Sequence, residues 1–399
     1  MRLPAVQTAF QRKTDAPASP AKGRLKTLIV GAGPVGLAAA LALKHRGVSD
    51  DITVLEAGAQ GAVFFGDRNI ALSSASWRFL AKLGVTLGAS ERAAIREVEI
   101  TQRGAFGLLR LDARDVSTTE LGAASPYPAL KTALDHAAQV AGIQIQYGEK
   151  VSSARHVAQH AEVHLGSGEQ LRADCVVLAD GAGSDLVAEF KRVERDSGQT
   201  AVITRLSASK ARPGVAFERF TDGGALALIP RADNDWTVVW ARPRAEAERL
   251  LQLDATSLND EINTAFGNTM GELTLTAKLT SYPLVWRFVE PRASGAIVAL
   301  GNAAQGLHPV AAQGLNLGLA DAQQFAAAMA KRTGSIAASL TAFARHRGVD
   351  RVTRIGFSGL LAYGFDRGGW LFDLPRGLGL TAVQMLPPLR RELTRRLAL

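Results

Sequence analysis

The stretch from Leu25 to Glu56 constrains the fold more than any other part of the chain. Leu25-Lys-Thr-Leu-Ile-Val30 is a short apolar strand, Gly31-Ala-Gly33-Pro34-Val-Gly36 follows, Leu37 to His45 is Ala/Leu-rich and helical, and Asp51-Ile-Thr-Val-Leu-Glu56 is a second strand. This is the opening of a βαβ unit. The glycine spacing has a physical use at each position. Gly31 permits the tight turn, Gly33 lets backbone approach a pyrophosphate, and Gly36 lets helix and strand pack closely, with the helix N-terminus toward the phosphates. Glu56, twenty residues past Gly36, is placed to accept hydrogen bonds from a ribose diol. The run specifies a dinucleotide without saying which one.

At roughly 150 residues per domain, 399 residues predict two to three folding units. With 47% hydrophobic and 21% charged residues the composition is that of a soluble globular protein. The single cysteine, Cys175, lies in the apolar run Asp174-Cys-Val-Val-Leu178. One thiol supports neither an internal disulfide nor a cysteine-based zinc site, so a buried structural residue in a reducing, cytoplasmic compartment is expected. The net charge of +9 is concentrated at the ends: residues 1–23 read as a disordered basic tail, and Arg390, Arg391, Arg395 and Arg396 stand against Glu392. Solvated charge is the plain reading, and a peripheral contact with anionic lipid at the inner face of a membrane is the sharper one. There is no nucleic-acid motif. No run approaches 18 uncharged apolar residues, so no transmembrane helix is expected.

Two more glycine-bearing turns end apolar strands. Val177-Leu-Ala-Asp180-Gly181 is by itself an ordinary turn. Ala296 to Leu300 runs into Gly301-Asn302 and a Pro-containing loop, and a helix starts near Gln313-Gly314 and continues to about Lys331. That helix start offers unbonded N–H groups and a positive dipole end. Between these turns the text is β-rich: a hairpin from Gln144 to Leu178, antiparallel strands from Val215 to Ala241 around Gly223-Gly224, and a strand pair from Thr274 to Phe288. Helices are expected over Ser74–Leu83, Leu130–Ala141 and most of the chain after Lys331. The predicted class is α/β. A discontinuous Rossmann-like domain covers 24–103, 130–190 and 291–331, an inserted antiparallel β-sheet domain covers 104–129 and 191–290 and takes the substrate, and C-terminal helices cover 332–399.

Taken in order, the three motifs resemble those of the flavoprotein aromatic hydroxylases, the group with the p-hydroxybenzoate hydroxylase fold, over about residues 25 to 395. The likeness includes Asp67-Arg68-Asn-Ile-Ala-Leu-Ser73, Phe217-Glu-Arg-Phe220 with Ala225-Leu-Ala-Leu-Ile-Pro230, and Tyr282-Pro-Leu284. Gly301-Asn-Ala-Ala-Gln-x-Leu-His-Pro309 is most similar to the 2-polyprenyl-6-methoxyphenol hydroxylase branch of the ubiquinone-biosynthesis hydroxylases. The resemblance implies FAD. Gly31, Gly33, Pro34, Gly36 and Glu56 would hold its ADP half, Arg68 would approach the pyrophosphate and Asp180 would lie beside the pyrophosphate channel. Gly301 and Asn302 would meet the ribityl chain, and Gln313, Gly314, Leu315 and Asn316 the isoalloxazine. His308, Pro309 and Gln313 would form the loop between flavin and substrate. Three positions depart from the family. Asn302 replaces an Asp, though an amide still hydrogen-bonds a ribityl hydroxyl. Ala312 replaces the first Gly of Gly-Gln-Gly, and Lys131 lies where an Arg is common.

The implied chemistry belongs mostly to the cofactor. NADH or NADPH reduces FAD, dioxygen adds to the reduced ring, and a C4a-hydroperoxide hydroxylates a phenol activated by its own oxygen. The protein must exclude water and position the ring. The expected substrate is a hydrophobic, polyprenylated phenol, and a contact with a ubiquinone-biosynthesis complex follows from the same resemblance. Phe217, Phe220, Leu226, Leu228 and Ile229 are offered for its tail, of which strand alternation sends only some to the pocket. Two other readings stay open: another flavin oxidoreductase on this fold, such as an epoxidase or polyprenyl reductase, and a flavin-binding assembly subunit without turnover. His156, His160 and His164 are four apart but fall in strand text, so no metal site is expected.

Overall fold

The computed structural model describes residues 25–62, 68–104, 106–181, 185–306, 313–348 and 370–398. The expected basic tail and the His308–Pro309 loop lie outside these residues. Strand β1 (Lys26–Val30) is central in a six-stranded sheet. Parallel neighbours β2 (Asp51–Glu56) and β12 (Cys175–Leu178) flank it. Beyond β2 lies β8 (Gln144–Tyr147), and beyond β12 lie β20 (Ile297–Ala299) and antiparallel β19 (Ala293–Ser294). The inner strands β12 and β20 are wholly apolar and buried, and β1 nearly so, because both faces are covered there. Ile29 and Val177 face helices α1 (Pro34–His45), α3 (Tyr127–Val140) and α6 (Gln313–Ala330). Leu28 and Val30 face a three-stranded sheet of β9 (Val151–Val157), β10 (His160–Leu165) and β11 (Gln170–Ala173). His156 lies on β9 and His160 and His164 on β10; the Ala296 N–H donates to His156 Nδ1 at 3.2 Å, tying the hairpin to the main sheet.

The run Gln170 to Leu178, legible as one strand, is shared between two sheets. It breaks at Asp174, whose N–H donates to the Lys26 carbonyl (2.9 Å) and whose Oδ2 accepts the Lys26 N–H (2.8 Å). Cys175 is fully buried, and burial pushes its thiol up to about 12.

The second large sheet runs β21 (Gln305–Gly306), β18 (Thr280–Glu290), β13 (Lys191–Ala208), β16 (Trp236–Pro243), β15 (Gly224–Pro230), β14 (Val215–Thr221), β5 (Glu97–Gln102), β6 (Leu108–Asp112), with β17 (Leu273–Leu275) also on β13. The strand pair expected within Thr274–Phe288 does not form: β17 and β18 each pair with β13 instead of with one another. Strand β5 precedes the expected boundary at residue 103, yet it pairs in parallel with β14 and is part of this sheet. One face carries α4 (Arg244–Gln252) and α5 (Ala255–Phe266), two helices the sequence reading did not anticipate. Val215, Phe217, Leu226, Leu228, Trp236 and Trp240 pack against them. The other face meets a small sheet of β3 (Asn69–Ser73), β7 (Gly122–Pro126) and β4 (Ala93–Ile95). Helix α2 (Ser74–Lys82) follows β3 directly, with Ser73 as its N-cap: its hydroxyl accepts the Ser76 N–H at 3.2 Å.

After α6 come α7 (336–348), α8 (Trp370–Met385) and α9 (Pro387–Ala398). Leu380 of α8 and Ala398 of α9 pack on Leu109, Leu111 and Leu121. Three of the four C-terminal arginines are ion-paired: Arg390 with Asp115 (2.9 Å), and Arg395 and Arg396 with Glu392 (2.7 and 2.9 Å). Among the described residues no helix is long and apolar enough to cross a membrane.

Candidate functional site

The chain leaves β1 through Gly31 at φ +102°. A Cβ on Gly31 would lie 2.6 Å from the Ala179 carbonyl oxygen, and one on Gly36 would lie 2.0 Å from that of Gly31. Neither position admits a side chain. Gly33 differs, because nothing lies within 4 Å of where its Cβ would be. That open space lies at the start of α1, where Gly33 is the N-cap without a side-chain cap, Pro34 opens the helix and no acidic residue occupies the first turn. An uncapped, acid-free helix start is an anion site in search of its anion. Glu56 holds this loop: Oε2 accepts the Ala32 N–H (2.7 Å) and Oε1 the Gly58 N–H (2.9 Å). Each oxygen keeps acceptor capacity for a diol.

Asp180 is exposed at the end of β12, with its Cα 2.8 Å from the position of a Gly31 Cβ, so the second motif abuts the first. The Arg68 guanidinium lies over the Tyr282 ring of β18, 3.6 Å from its centre, joining the segment before β3 to the large sheet. Tyr127, not singled out by its sequence, begins α3 and donates its N–H to the Arg68 carbonyl at 2.7 Å. Its phenol is pushed up to about 12 by burial, then by Glu56 and Asp135, against Arg68. Lys131 pairs with Asp135 at 2.5 Å.

The third motif reaches the first through α1. Gly301 and Gly318 both back onto Val35, within 2.9 and 2.6 Å of a would-be Cβ. Asn302 is exposed, and its Oδ1 lies 4.0 Å from the Cβ position of Gly314, so the ribityl candidate and the start of α6 face one another. Gln313 to Asn316 form the first turn of α6, whose N–H groups have no acceptor within the helix. Two side chains of this turn have protein partners. Leu315 packs on the main core. The Asn316 Oδ1 accepts from the Ser73 N–H (2.9 Å) and the Ser76 hydroxyl (2.7 Å), while Nδ2 donates to the Ala71 carbonyl (3.2 Å). These bonds fasten α6 to β3 and α2, and they leave backbone N–H groups as what this turn offers a flavin.

Sequence reading missed Asp321. Fully buried on α6, it accepts from Arg347 Nε (2.7 Å), Arg292 Nη2 (2.8 Å) and the Gly301 N–H (3.2 Å). Of the apolar residues offered for a substrate tail, Phe217, Leu226 and Leu228 face the helices, whereas Ile229 meets the β3–β7–β4 sheet and Phe220 lies on that same face with Ala225 and Ile100.

The residues present fit FAD: an open cradle at Gly33, an acid beside it, an exposed amide at Asn302 and a second helix start at Gln313. The family described as FAD binding domain matches residues 24–347. A ubiquinone hydroxylase, UbiL of Rhodospirillum rubrum, is 28% identical over 381 residues, covering 91% of this chain and 87% of its own. The 3-demethoxyubiquinol 3-hydroxylase of Escherichia coli is 28% identical over 385 residues, covering 91% and 96%. Among solved structures, p-nitrophenol 4-monooxygenase PnpA from Pseudomonas putida shares the fold, with a TM-score of 0.73 at 17% identity over 94% of this chain and 98% of that one.

Proposed function

Because the chain belongs to the FAD-binding-domain family of flavoprotein monooxygenases, we propose that it hydroxylates the ring of a polyprenylated phenol in ubiquinone biosynthesis, consuming NADH or NADPH and dioxygen. Similarity to two ubiquinone hydroxylases across nine-tenths of the chain carries this reading. Bound FAD supplies the electron and oxygen chemistry. The protein's share is binding, orientation and exclusion of water. The start of α1 and the open cradle at Gly33 would hold the diphosphate, Glu56 the ribose, and Asn302 a ribityl hydroxyl. The first-turn N–H groups of α6 would favour negative charge on a bound flavin ring. This face of the large sheet, with Ala216, Phe220, Ala225, Ala227 and Ile229 around Glu218, would offer a mostly apolar wall to a greasy substrate.

A peripheral membrane contact belongs to the same reading. Leu374, Leu378 and Met385 recur on one face of α8 and are exposed, as are Leu386 and Leu389 at the turn into α9. Arg391 is exposed on α9. A lipid-soluble substrate makes such a surface useful.

The functional test is complementation of bacterial strains each lacking one ring hydroxylase of the pathway. Restored ubiquinone in one strain identifies the ring position. Rescue of none, with turnover of a small carboxylated phenol by the purified holoenzyme, would refute the assignment.

A further inference from the structure

Strand β14 presents Ala216, Glu218 and Phe220 to one side and Val215, Phe217 and Arg219 to the other. The second side is fixed by α5: Phe217 meets Phe266 edge-on at 5.4 Å, and Arg219 Nε donates to the Ala265 carbonyl at 3.0 Å. The first side is fixed by Ala216, which packs with Ile229 near Ala71, three residues after Arg68. Glu218 therefore stands on the face that covers the flavin segment, one pleat from Ala216.

Its nearest neighbours among the described residues are apolar. Ile100 of β5 and Ala227 of β15 sit directly beside it, and Ala216 and Phe220 lie before and after it on the same strand. The charged groups of these strands are on the helix side, where Arg110 and Arg212 each pair with Glu97 and Glu99. Helix α8, packed over β5 and β6, carries Asp373 and Arg376 as its charged residues, and Arg68 with Tyr282 lies farther along this face. Glu218 is half-buried, and its Oε1 is buried with no hydrogen-bond partner among the described residues. Burial alone pushes the carboxyl up to about 7. An orphaned buried oxygen is a cost to folding that the fold itself does not explain. A donor brought by a ligand would satisfy it.

Resting on the functional reading above, we propose that Glu218 is a catalytic residue whose carboxylate accepts the hydrogen bond of the substrate's phenolic hydroxyl and takes its proton as the ring is attacked. The phenol O–H bond breaks and a carboxyl O–H bond forms. The electron pair stays on the phenolic oxygen and enriches the ring carbons ortho and para to it. No electron leaves the pair of groups, and the proton returns when the product hydroxyl reforms. A free phenol titrates near 10, so transfer to this carboxyl is uphill in the resting complex and completes only as the ring is attacked. The same carboxylate would repel a carboxylated phenol, which favours a neutral substrate held by its apolar tail.

The test uses the FAD-loaded enzyme with 2-prenylphenol and its methyl ether, 2-prenylanisole, as probes. Binding is read from the flavin absorbance and turnover from NADH or NADPH consumption with product analysis. Wild-type kcat/KM should rise with pH through about 7, and the phenol should bind at least about tenfold tighter than the ether. Glu218→Gln, which accepts a hydrogen bond but takes no proton, should keep FAD and phenol binding. It should lose the pH-dependent limb and about a hundredfold in kcat/KM. Glu218→Leu should bind phenol and ether alike. A Glu218→Gln enzyme with the wild-type pH profile, or a Glu218→Leu enzyme that still prefers the phenol, overturns the assignment while leaving the function standing. A wild type that neither binds nor turns over 2-prenylphenol overturns the functional reading and this assignment with it.

Discussion

Replacing Asp321 with Asn should be among the most damaging single changes to this protein. Asp321 is fully buried and Arg292 and Arg347 are 3% and 1% exposed, so the carboxylate is the one anion among these three charged groups. Arg292 Nε and Nη1 have no hydrogen-bond partner among the described residues; besides Asp321, its Nη2 donates to the Ala299 carbonyl (3.1 Å) and its guanidinium lies 5.5 Å from the centre of the Phe343 ring. Asparagine preserves shape and an acceptor for the Gly301 N–H but removes the negative charge that both buried guanidiniums pair with. Breaking a buried ion pair by removing one partner costs about 3–5 kcal/mol, a large part of a total stability of roughly 5–15 kcal/mol. Arg347→Met should cost less, because it leaves a neutral Arg292–Asp321 pair. Urea unfolding of the apoprotein, followed by tryptophan fluorescence, measures both. The reasoning fails if Asp321→Asn lies within about 1 kcal/mol of wild type, or if Arg347→Met costs as much. FAD titration should also show weaker binding in Asp321→Asn, because Gly301 positions Asn302.

Gly33→Val should leave the apoprotein's melting temperature near that of wild type yet abolish FAD retention, since its side chain enters space that no protein atom occupies. Gly36→Ala should instead destabilise the apoprotein itself, its Cβ meeting the Gly31 carbonyl at 2.0 Å; the opposite ranking in apoprotein melts would refute this account. Glu218 carries a stability signature: its folded carboxyl is raised from 4.5 to about 7, so between those values the folded state holds more protons than the unfolded one and stability falls as pH rises. Glu218→Gln should remove that slope and be more stable at pH 8 by at most about 3 kcal/mol, which melts at pH 5 and pH 8 would show. Leu378→Asp with Met385→Asp should reduce sedimentation with anionic vesicles, and unchanged binding would leave the α8 stripe without a membrane role.

Short-range sterics made the dinucleotide unit legible. Gly31 and Gly36 answer to atoms within a few residues or on the adjacent strand, so their spacing records the turn and the close approach directly. The order of the three motifs was legible for the same reason, as was Glu56, although its work in holding the Ala32 N–H was not. The helix start at Asp254, whose carboxylate accepts the Ser257 N–H at 2.9 Å, was a readable N-cap signal for the overlooked α5.

Other features depended on partners far away in sequence. Alternation along Val215 to Pro230 separates two sets of side chains but does not say which set meets the helices. Only the docking of α5 assigned Phe217, Leu226 and Leu228 to the structural core and left Glu218 with Phe220 and Ile229 on the site side. The side-chain partners of Asn316, namely Ala71, Ser73 and Ser76, come from β3 and α2, some 240 residues away in sequence. Asp321 was one acid in an alanine-rich helix until Arg292 and Arg347 converged on it. A backbone requirement is written where it acts, whereas a buried charge or amide takes its meaning from whatever the folded chain brings within hydrogen-bonding distance.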